Sequence, residues 1–542
     1  MKLVSLLLVP ALLTSAVEAQ ATRLVHFTDD LTASGTDLLP NFRMNSCWSG
    51  LTVASDGRVH IAISNHLQPG GDCGFFRFDP DSDELVLLGT ASGVSGAAGN
   101  WMGAESQYKV HTFQCEDPSG RIWFATMDHD PSPFLRGAHL YYTDVDTGVV
   151  TDHSATAPTL LREDLVEITN TQQAAVNSGV TVATYGIKGI GMNPRKPDIQ
   201  YLMTFPDGHL IKHEISTGSL EAIGQSSVVS YVFHVDRDGD CHYAVPQGNG
   251  LRMLEYDLSS GQTTVTKDSF SGIELGAVCP HPCGEIVYVL VADTKEIWRL
   301  DTRDNSFVSW RNLCGTNFWR VYNLGLSPNG RSLYYVSNNN PSASVRKIDV
   351  ASTNCTEFVD VESLTGTRNL CFGGVNSFDN EGRYFAPVWT FEGLMLDDED
   401  VALLEVETGE LPFTSDVGSI SLGNGGTQTM ELELGPDAAG KPYFIVGTSA
   451  GTSPGFAYQA WSIPLNNAPY LMQTIVAPNF PPLGDSFGLL DANGKATITF
   501  SLPPGSNPAF AGARLNHCPI VFREGSFEIQ WVGPTNAVTL LP

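Results

Sequence analysis

The fold of this chain is decided by a unit that stands complete at Asp117-Pro-Ser-Gly-Arg-Ile-Trp-Phe-Ala-Thr126 and Arg136-Gly-Ala-His-Leu-Tyr-Tyr-Thr-Asp144. A polar turn containing glycine leads into an aromatic and β-branched run, and a second, outer hairpin follows. Short alternating runs bounded by Gly, Pro, Asn and Asp are typical of β-strands joined by tight turns. The unit therefore predicts a small antiparallel sheet of about four strands.

The same unit recurs eight times along the chain. Its inner turns lie at residues 55–58, 118–121, 193–198, 236–239, 280–284, 328–331, 380–383 and 436–440. Its outer hairpins lie at residues 75–79, 139–142, 209–212, 252–257, 296–301, 344–349, 401–405 and 456–461. Four-stranded repeats of about 40–50 residues are the signature of a β-propeller. We expect an all-β protein with eight blades, or seven if the last pair belongs to a C-terminal module.

The ends of the chain suggest three segments. Residues 1–19 combine an early lysine, a short apolar run and a small-residue end, which is typical of a secretory signal peptide. Residues 22–475 would form the propeller, closed by a strand at 24–27. The breaker-rich stretch 477–483 would then link to a small β module at 484–542. We expect a secreted or periplasmic monomer without a membrane span.

Charge and cysteine content limit the possible partners. The chain carries 59 acidic and 30 basic residues, for a net charge of −29, so nucleic acid is excluded as a natural partner. Ten cysteines in an exported chain favour several disulfides. Cys279 and Cys283 flank His281, but no second pair stands at zinc-finger spacing, so a disulfide or free thiols is favoured over zinc.

Polar and aromatic residues gather near the expected start of the inner strands, where propellers bind their ligands. The group comprises Trp48, His111, Tyr185, Lys188, Arg320 and Arg368, with Arg136 and His139 near the rim. Such residues suit an acidic sugar. The alternative is that aromatics fill the channel while the cations bridge blades.

His111 can carry a proton near neutral pH, and a tyrosine beside cations can join it. Removal of the proton α to a uronate carboxylate needs a base, an acid for the leaving oxygen and a cation on the carboxylate. Lys109-Val-His-Thr112, followed by the unit quoted above, resembles the early blades of ulvan lyases and related rhamnosyl-glucuronate-cleaving propeller lyases, over about residues 45–215. The resemblance implies that His111 and Tyr185 are catalytic, that Arg136 and His139 lie at the mouth, and that the ring has seven blades.

These observations leave three functions open. The first is a lyase that acts on an acidic polysaccharide, the second a propeller that binds a glycan or a protein without cleaving it, and the third a propeller hydrolase. Paired channel carboxylates would favour a glycosidase, and Glu431 is the clearest such residue. No cofactor is required by the sequence, although structural or catalytic calcium is compatible with it. The run Asp236-Arg-Asp-Gly-Asp240 lacks the rest of a calcium loop and suits an ordinary acidic turn.

Overall fold

The computed structural model describes residues 22–27, 47, 50–64, 72–101, 107–127, 138–155, 186–193, 195–205, 208–225, 232–315, 321–338, 343–365, 369–371, 377–390, 401–459 and 461–542. These residues form mostly antiparallel strands with a few short helices. The predicted all-β class is confirmed.

The strands up to Glu407 form antiparallel blades in chain order, of which the second and third are joined into one sheet where Gly186 pairs with Met127. After β1 (Thr22–His26), the first blade comprises β2 (Leu51–Val53), β3 (Val59–Ser64), β4 (Cys73–Asp79) and β5 (Glu84–Thr90), followed by α1 (Ala91–Ala97). The second comprises β6 (Lys109–Val110), β7 (Cys115–Glu116), β8 (Arg121–Met127), β9 (Leu140–Asp144) and β10 (Val150–Asp152). The third comprises β11 (Gly186–Met192), β12 (Ile199–Phe205), β13 (His209–Glu214) and β14 (Ser219–Gln225).

The next blades repeat this arrangement. The fourth comprises β15 (His234–Val235), β16 (Cys241–Gln247), β17 (Gly250–Asp257) and β18 (Gln262–Ser271). The fifth comprises β19 (Leu275–Pro280), β20 (Ile286–Val291), β21 (Glu296–Asp301) and β22 (Ser306–Asn312). The sixth comprises β23 (Gly325–Leu326), β24 (Ser332–Asn338), β25 (Ala343–Asp349) and β26 (Cys355–Asp360), followed by α2 (Val361–Thr365). The seventh comprises β27 (Asn369–Cys371), β28 (Arg383–Thr390) and β29 (Val401–Glu407).

The N-terminal strand completes the seventh blade. β1 pairs antiparallel with β29, with Thr22 opposite Val406. Arg23 contacts Glu405 of β29 and also Asp83 of the first blade, each at 2.8 Å. The predicted closing strand is therefore present, and it protects a sheet edge that would otherwise be open.

Buried apolar clusters show that the blades form a closed ring. Each of seven clusters is shared by two consecutive sheets. The last one joins the seventh blade to the first by packing Phe385 and Leu403 against Ile61 and Phe76. A series of sheet contacts that returns to its start defines a seven-bladed propeller, the alternative to the eight blades counted in the sequence.

The glycines of the inner turns are required by the backbone. Gly239 has φ 89°, and a Cβ there would lie 2.1 Å from Asn193 Nδ2. Glycine adopts this conformation without a steric penalty and leaves room for the neighbouring blade.

The eighth inner turn and the eighth outer hairpin belong to a separate C-terminal module. Its strands are β30 (Phe413–Ser415), β31 (Ser419–Ser421), β32 (Gly426–Glu433), β33 (Pro442–Thr448), β34 (Phe456–Tyr458), β35 (Trp461–Ile463), β36 (Leu483–Gly484), β37 (Phe487–Leu489), β38 (Lys495–Leu502), β39 (Arg514–Phe522), β40 (Ile529–Val532) and β41 (Asn536–Leu541). A helix, α3 (Pro469–Val476), follows the β34–β35 hairpin.

Two sheets of the module pack face to face. One has the order β30-β32-β38-β36 and the other β31-β41-β39-β33-β37, with β40 beside β39. Met430 and Leu432 share one core with Ile498 and Phe500. The module therefore begins near residue 411 rather than at 484, because the strands before and after 477–483 share sheets. Glu431 lies in this module and not in the propeller channel.

The module docks on the inner turns of the propeller. Asp437 accepts hydrogen bonds from Tyr288 at 2.6 Å and from Arg299 at 2.8 Å. Lys441 forms a buried ion pair with Glu285, which also accepts a hydrogen bond from Gln530. Buried charges need such partners, because burial removes their hydration.

One disulfide, Cys314–Cys355, joins the outer parts of the fifth and sixth blades. The described residues also include seven free cysteines, so one of the several expected disulfides is present among them. Burial raises the pKa of the Cys279 and Cys283 thiols to about 12, which keeps both protonated. His281 between them uses both ring nitrogens, one toward Leu434 O at 2.8 Å and one toward the Cys283 N–H.

Replacing Cys314 and Cys355 with serine should destabilise the propeller. The bond closes a loop with a sequence separation of 41, and loop-closure entropy puts its contribution at about 4 kcal/mol or less. Urea denaturation of the double variant and of the reduced wild type should show matching losses. An unchanged midpoint in both would mean that the disulfide adds no stability.

Candidate functional site

Four polar side chains meet at the ends of the inner strands that lie away from the inner turns. Lys109 is in β6 of the second blade and Lys188 is in β11 of the third. Glu274 immediately precedes β19, and Tyr322 lies before β23. All but Tyr322, which is half-buried, are buried. We call Lys109, Lys188, Glu274 and Tyr322 the channel cluster.

The two lysines have strongly perturbed protonation. Burial lowers the pKa of Lys109 to about 8. Burial also holds the pKa of Lys188 well below its usual range, and the charge of Lys109 lowers it further while Glu274 opposes the fall. The cause is that a buried ammonium loses hydration and two nearby cations repel. An anion placed beside these amines would favour their protonated form.

A β-bulge sets the position of Lys188. The pairing of β11 with β12 shifts register between Ile187 and Gly189, which leaves Lys188 outside the ladder. Its carbonyl accepts a hydrogen bond from the Phe113 N–H of the second blade at 3.3 Å. Bulges turn a side chain away from the regular alternation and are frequent beside functional sites.

Glu274 brings a carboxylate to the cluster from the other side of the ring. Tyr322 donates its phenolic hydrogen to Glu274 at 3.1 Å, which joins the approaches to the fifth and sixth blades. The backbones of these blades also come close, since a Cβ on Gly276 would lie 2.3 Å from Val321 O. The channel cluster thus combines two amines, one carboxylate and one phenol.

His111 is close to this cluster along the chain. It lies two residues after Lys109, between β6 and β7, and is half-buried. Lys188, the other described member of the predicted set near the channel, belongs to the cluster itself.

His139 occupies a different environment from the channel mouth expected for it. It is fully buried, with Nδ1 3.0 Å from Asp152 Oδ2 and 3.1 Å from Ser95 Oγ. Although burial alone would raise the pKa of Asp152, the hydrogen bond and charge of His139 lower it to about 2. His139 therefore stabilises the contact between the first and second blades.

The remaining predicted site residues lie outside the described residues: Trp48, Arg136, Tyr185, Arg320 and Arg368. Conversely, sequence reasoning did not select Lys109, Glu274 or Tyr322 as site residues. These three residues could have been found in the sequence as a charged or phenolic residue at or just before the start of an otherwise apolar inner strand. Lys109 and Glu274 both directly precede apolar residues of the strand, Val110 and Leu275.

The described residues contain no group of three or more His, Cys, Asp or Glu side chains placed to hold a metal ion. In the 236–240 turn, Asp236 Oδ1 accepts the backbone N–H groups of Asp238 and Asp240, and Oδ2 lies 3.2 Å from His242 Nε2. The Asp236 carboxylate thus binds the backbone of its own turn, as expected for an ordinary acidic turn. Within the same part of the chain, no helix is long and apolar enough to cross a membrane.

The order of the sheets defines the chain as a β-propeller followed by a C-terminal β-sandwich. No protein-family model and no curated protein match the chain. Similar solved structures include the extracellular domain of the one-component system BT4673 from B. thetaiotaomicron, with 12% identity and a TM-score of 0.41, covering 96% of this chain and 60% of that chain. TolB from Acinetobacter baumannii has 14% identity and a TM-score of 0.33, covering 64% of this chain and 79% of that one.

A third similar structure is regucalcin, a calcium-binding protein from Agrobacterium tumefaciens, with 12% identity and a TM-score of 0.32. It covers 55% of this chain and 92% of that one. The chain spans less than two thirds of the BT4673 domain. At these identities and TM-scores the likenesses carry no information about function.

Proposed function

We propose that this chain is an exported carbohydrate-active propeller, a polysaccharide lyase that cleaves a uronate-containing glycan by β-elimination. The observation that carries the proposal is the pair Lys109 and Lys188 on adjacent inner strands. A bound carboxylate would favour the charged form of both amines and so create a positive site in a chain with 59 acidic and 30 basic residues. Cations gathered where the rest of the surface is acidic favour an anionic ligand at that place.

The chemistry assigns a role to each group. In β-elimination the C–H bond α to the carboxylate breaks and its electrons form the new C=C bond. The C–O bond at the β carbon breaks at the same time, and its electron pair leaves on the glycosidic oxygen. Lys109 and Lys188 would hold the carboxylate and stabilise the charge that develops on it. His111 would take the proton, and Tyr185 would protonate the leaving oxygen. Arg136, Trp48, Arg320 and Arg368 remain proposed contacts for neighbouring sugars.

The channel cluster favours this reaction over glycoside hydrolysis. Hydrolysis by either common mechanism uses two carboxylates about 5–10 Å apart. The cluster supplies one, Glu274, and the other candidate, Glu431, lies in the C-terminal module. A binding propeller would use the same lysines without proton transfer, so cleavage assays must distinguish the two functions.

The test is incubation of the full mature chain with a panel of acidic polysaccharides. A lyase produces new chain ends together with the ultraviolet absorbance of an unsaturated uronate. New reducing ends without that absorbance would indicate a hydrolase and overturn the proposal. Binding without new ends, over the whole panel and with added calcium, would indicate a binding propeller.

Binding of the carboxylate should be coupled to proton uptake. Burial holds the Lys109 pKa at about 8 and lowers that of Lys188, and a bound anion favours the charged form of both amines. Affinity should therefore fall as pH rises through the Lys109 pKa of about 8, since this amine then loses its proton. Calorimetry in buffers of different ionisation enthalpy measures this uptake. Affinity that rises with pH would contradict it.

A further inference from the structure

The fold brings two lysines out of water at one place. Met127 of β8 pairs with both Lys109 of β6 and Gly186 of β11. Because neighbouring strands lie about 4.8 Å apart, the two inner strands start within about 10 Å of each other. Lys188 follows Gly186 by two residues and stands at the bulge between 187 and 189. Lys188 is only 4% exposed and Lys109 only 7%.

The channel cluster contains two amines and one carboxylate. With every group charged, the cluster would carry a net positive charge in a buried place, where charge is costly. Loss of one proton from an amine removes that excess. Burial and the charge of Lys109 hold the pKa of Lys188 well below its usual range, whereas burial lowers the pKa of Lys109 only to about 8. Lys188 is therefore the amine that becomes neutral more readily, and Lys109 keeps most of its charge at pH 7.

A desolvated lysine beside another cation is an arrangement that activates an amine as a nucleophile. The neutral amine has a lone pair that can attack a carbonyl carbon, and an ammonium has none. The other two members of the cluster can move the protons that such an attack releases. Tyr322 donates a hydrogen bond to Glu274 at 3.1 Å, and the charge of Glu274 acts on Lys188. The cluster thus joins a nucleophile to a carboxylate and a phenol.

We propose that Lys188 condenses with the carbonyl group of a small 2-oxo acid whose carboxylate is held by Lys109. A 2-oxo acid carries its carboxylate directly beside its carbonyl group, so a single molecule can meet both amines. The central channel of a propeller offers such a molecule a route to the inner strands. Tyr322, at the same place, is half-buried rather than buried.

The condensation replaces the carbonyl oxygen with the amine nitrogen and releases water. The lone pair of Lys188 Nζ attacks the carbonyl carbon, and the electrons of the C=O π bond move to the oxygen. Both amine hydrogens then pass to that oxygen. Glu274 takes each hydrogen from the nitrogen and donates it to the Tyr322 oxygen, while Tyr322 releases its own hydrogen. The nitrogen electron pair forms the C=N bond as the C–O bond breaks, and Glu274 and Tyr322 end as they began.

This activity is separate from the proposed elimination, although both use the same lysines. A bound anionic glycan favours the protonated form of both amines, whereas a carbonyl compound reacts with neutral Lys188. The two ligands should therefore compete. Because the condensation is measured without any polysaccharide, its failure would not count against the lyase, and failure of the lyase panel would not count against the condensation.

The test is incubation of the full mature chain with pyruvate and sodium cyanoborohydride, which reduces an imine to a stable secondary amine. Peptide mass mapping then locates the adduct. At pH 7 we expect Lys188 to be labelled at least about tenfold faster than the exposed Lys196, because a lysine with a pKa of about 10.4 is only about 0.04% neutral there. Lys441, which is buried in an ion pair with Glu285, is the internal comparison for burial alone and should stay unlabelled.

Two variants separate the roles of the lysines. Lys188→Met should abolish the fast adduct, and the matched control Lys196→Met should retain it. Lys109→Met should lower the ratio of labelling by pyruvate to labelling by ethanal at least about fivefold, because ethanal has no carboxylate for a charge-assisted hydrogen bond. Circular dichroism and urea midpoints establish that the variants are folded.

The comparison of Lys188 with Lys196 in the wild type needs no variant. Labelling of Lys188 no faster than that of Lys196 would overturn the proposal, and so would a fast adduct located on Lys109. An unchanged ratio of the two labels in folded Lys109→Met protein would refute a 2-oxo acid as the ligand and assign Lys188 to simple carbonyl compounds.

Discussion

Replacing Lys188 with methionine, or His111 with alanine, is expected to remove most lyase turnover. Lys188→Met removes a cation at the proposed carboxylate, and loss of one such preorganised group typically costs about 10²–10³-fold in kcat. His111→Ala removes the proposed proton acceptor, for which about 10²–10⁴-fold is typical. Both losses should be in kcat as well as kcat/KM, since the charge develops in the transition state.

The matched control for Lys188→Met is Lys196→Met. Lys196 is exposed, lies in the third blade as Lys188 does, and follows β11 at the inner-turn end. It should retain full activity. Steady-state kinetics on the polysaccharide identified by the panel, with urea midpoints for each variant, separate catalysis from folding. A folded Lys188→Met protein with normal kcat and raised KM would leave the lysine a role in binding alone.

Acid should destabilise the protein below pH 6.5, although acid also reduces its large negative charge. Burial lowers the pKa of His60 and His234 to about 3 and that of His213 and His517 to about 4. The pKa values in the folded protein lie below the unfolded value of 6.5, so folding favours the neutral form of these histidines. Their protonation therefore costs no stability above pH 6.5, and the cost grows as pH falls toward 4 and 3. At pH 5 each of these histidines lowers the free energy of unfolding by about 2 kcal/mol.

Urea denaturation at pH 7.5 and pH 5 measures this effect. If relief of charge repulsion dominated, the midpoint would instead rise on acidification. His60→Gln in the first blade and His517→Gln in the C-terminal module should each flatten the pH dependence by the contribution of one histidine. The prediction fails if neither variant changes the difference between the two midpoints.

Local pattern was sufficient for the repeating unit. The turn at 117–121 and the strand after it are specified by adjacent residues, because glycine adopts φ 77° at position 120 and the alternating run that follows pairs with its neighbours. The closing strand could also be predicted, since an apolar strand ahead of the first unit has an open edge to cover. The number of blades could not be counted from local pattern, because a turn sequence such as 436–440 occurs in a β-sandwich as readily as in a propeller blade.

Tertiary structure decided where that last unit belongs. Met430 and Leu432 pack with Ile498 and Phe500, about seventy residues later, and no local pattern encodes such a long-range contact. The channel cluster required the same information. Lys109, Lys188 and Glu274 are far apart along the chain, and only the ring brings them close enough for Lys109 and Glu274 to affect the pKa of Lys188.

The sequence by itself determined that this chain is an all-β, acidic propeller whose first strand pairs with its last blade, because turn chemistry and strand alternation are local. Only the tertiary structure decided that there are seven blades, that the sandwich starts before residue 420, and that His139 is buried with Asp152. These properties depend on which surfaces become buried together. Burial and the neighbouring charges, set by the whole ring, then lower the pKa of two lysines that sequence alone would leave as ordinary surface cations.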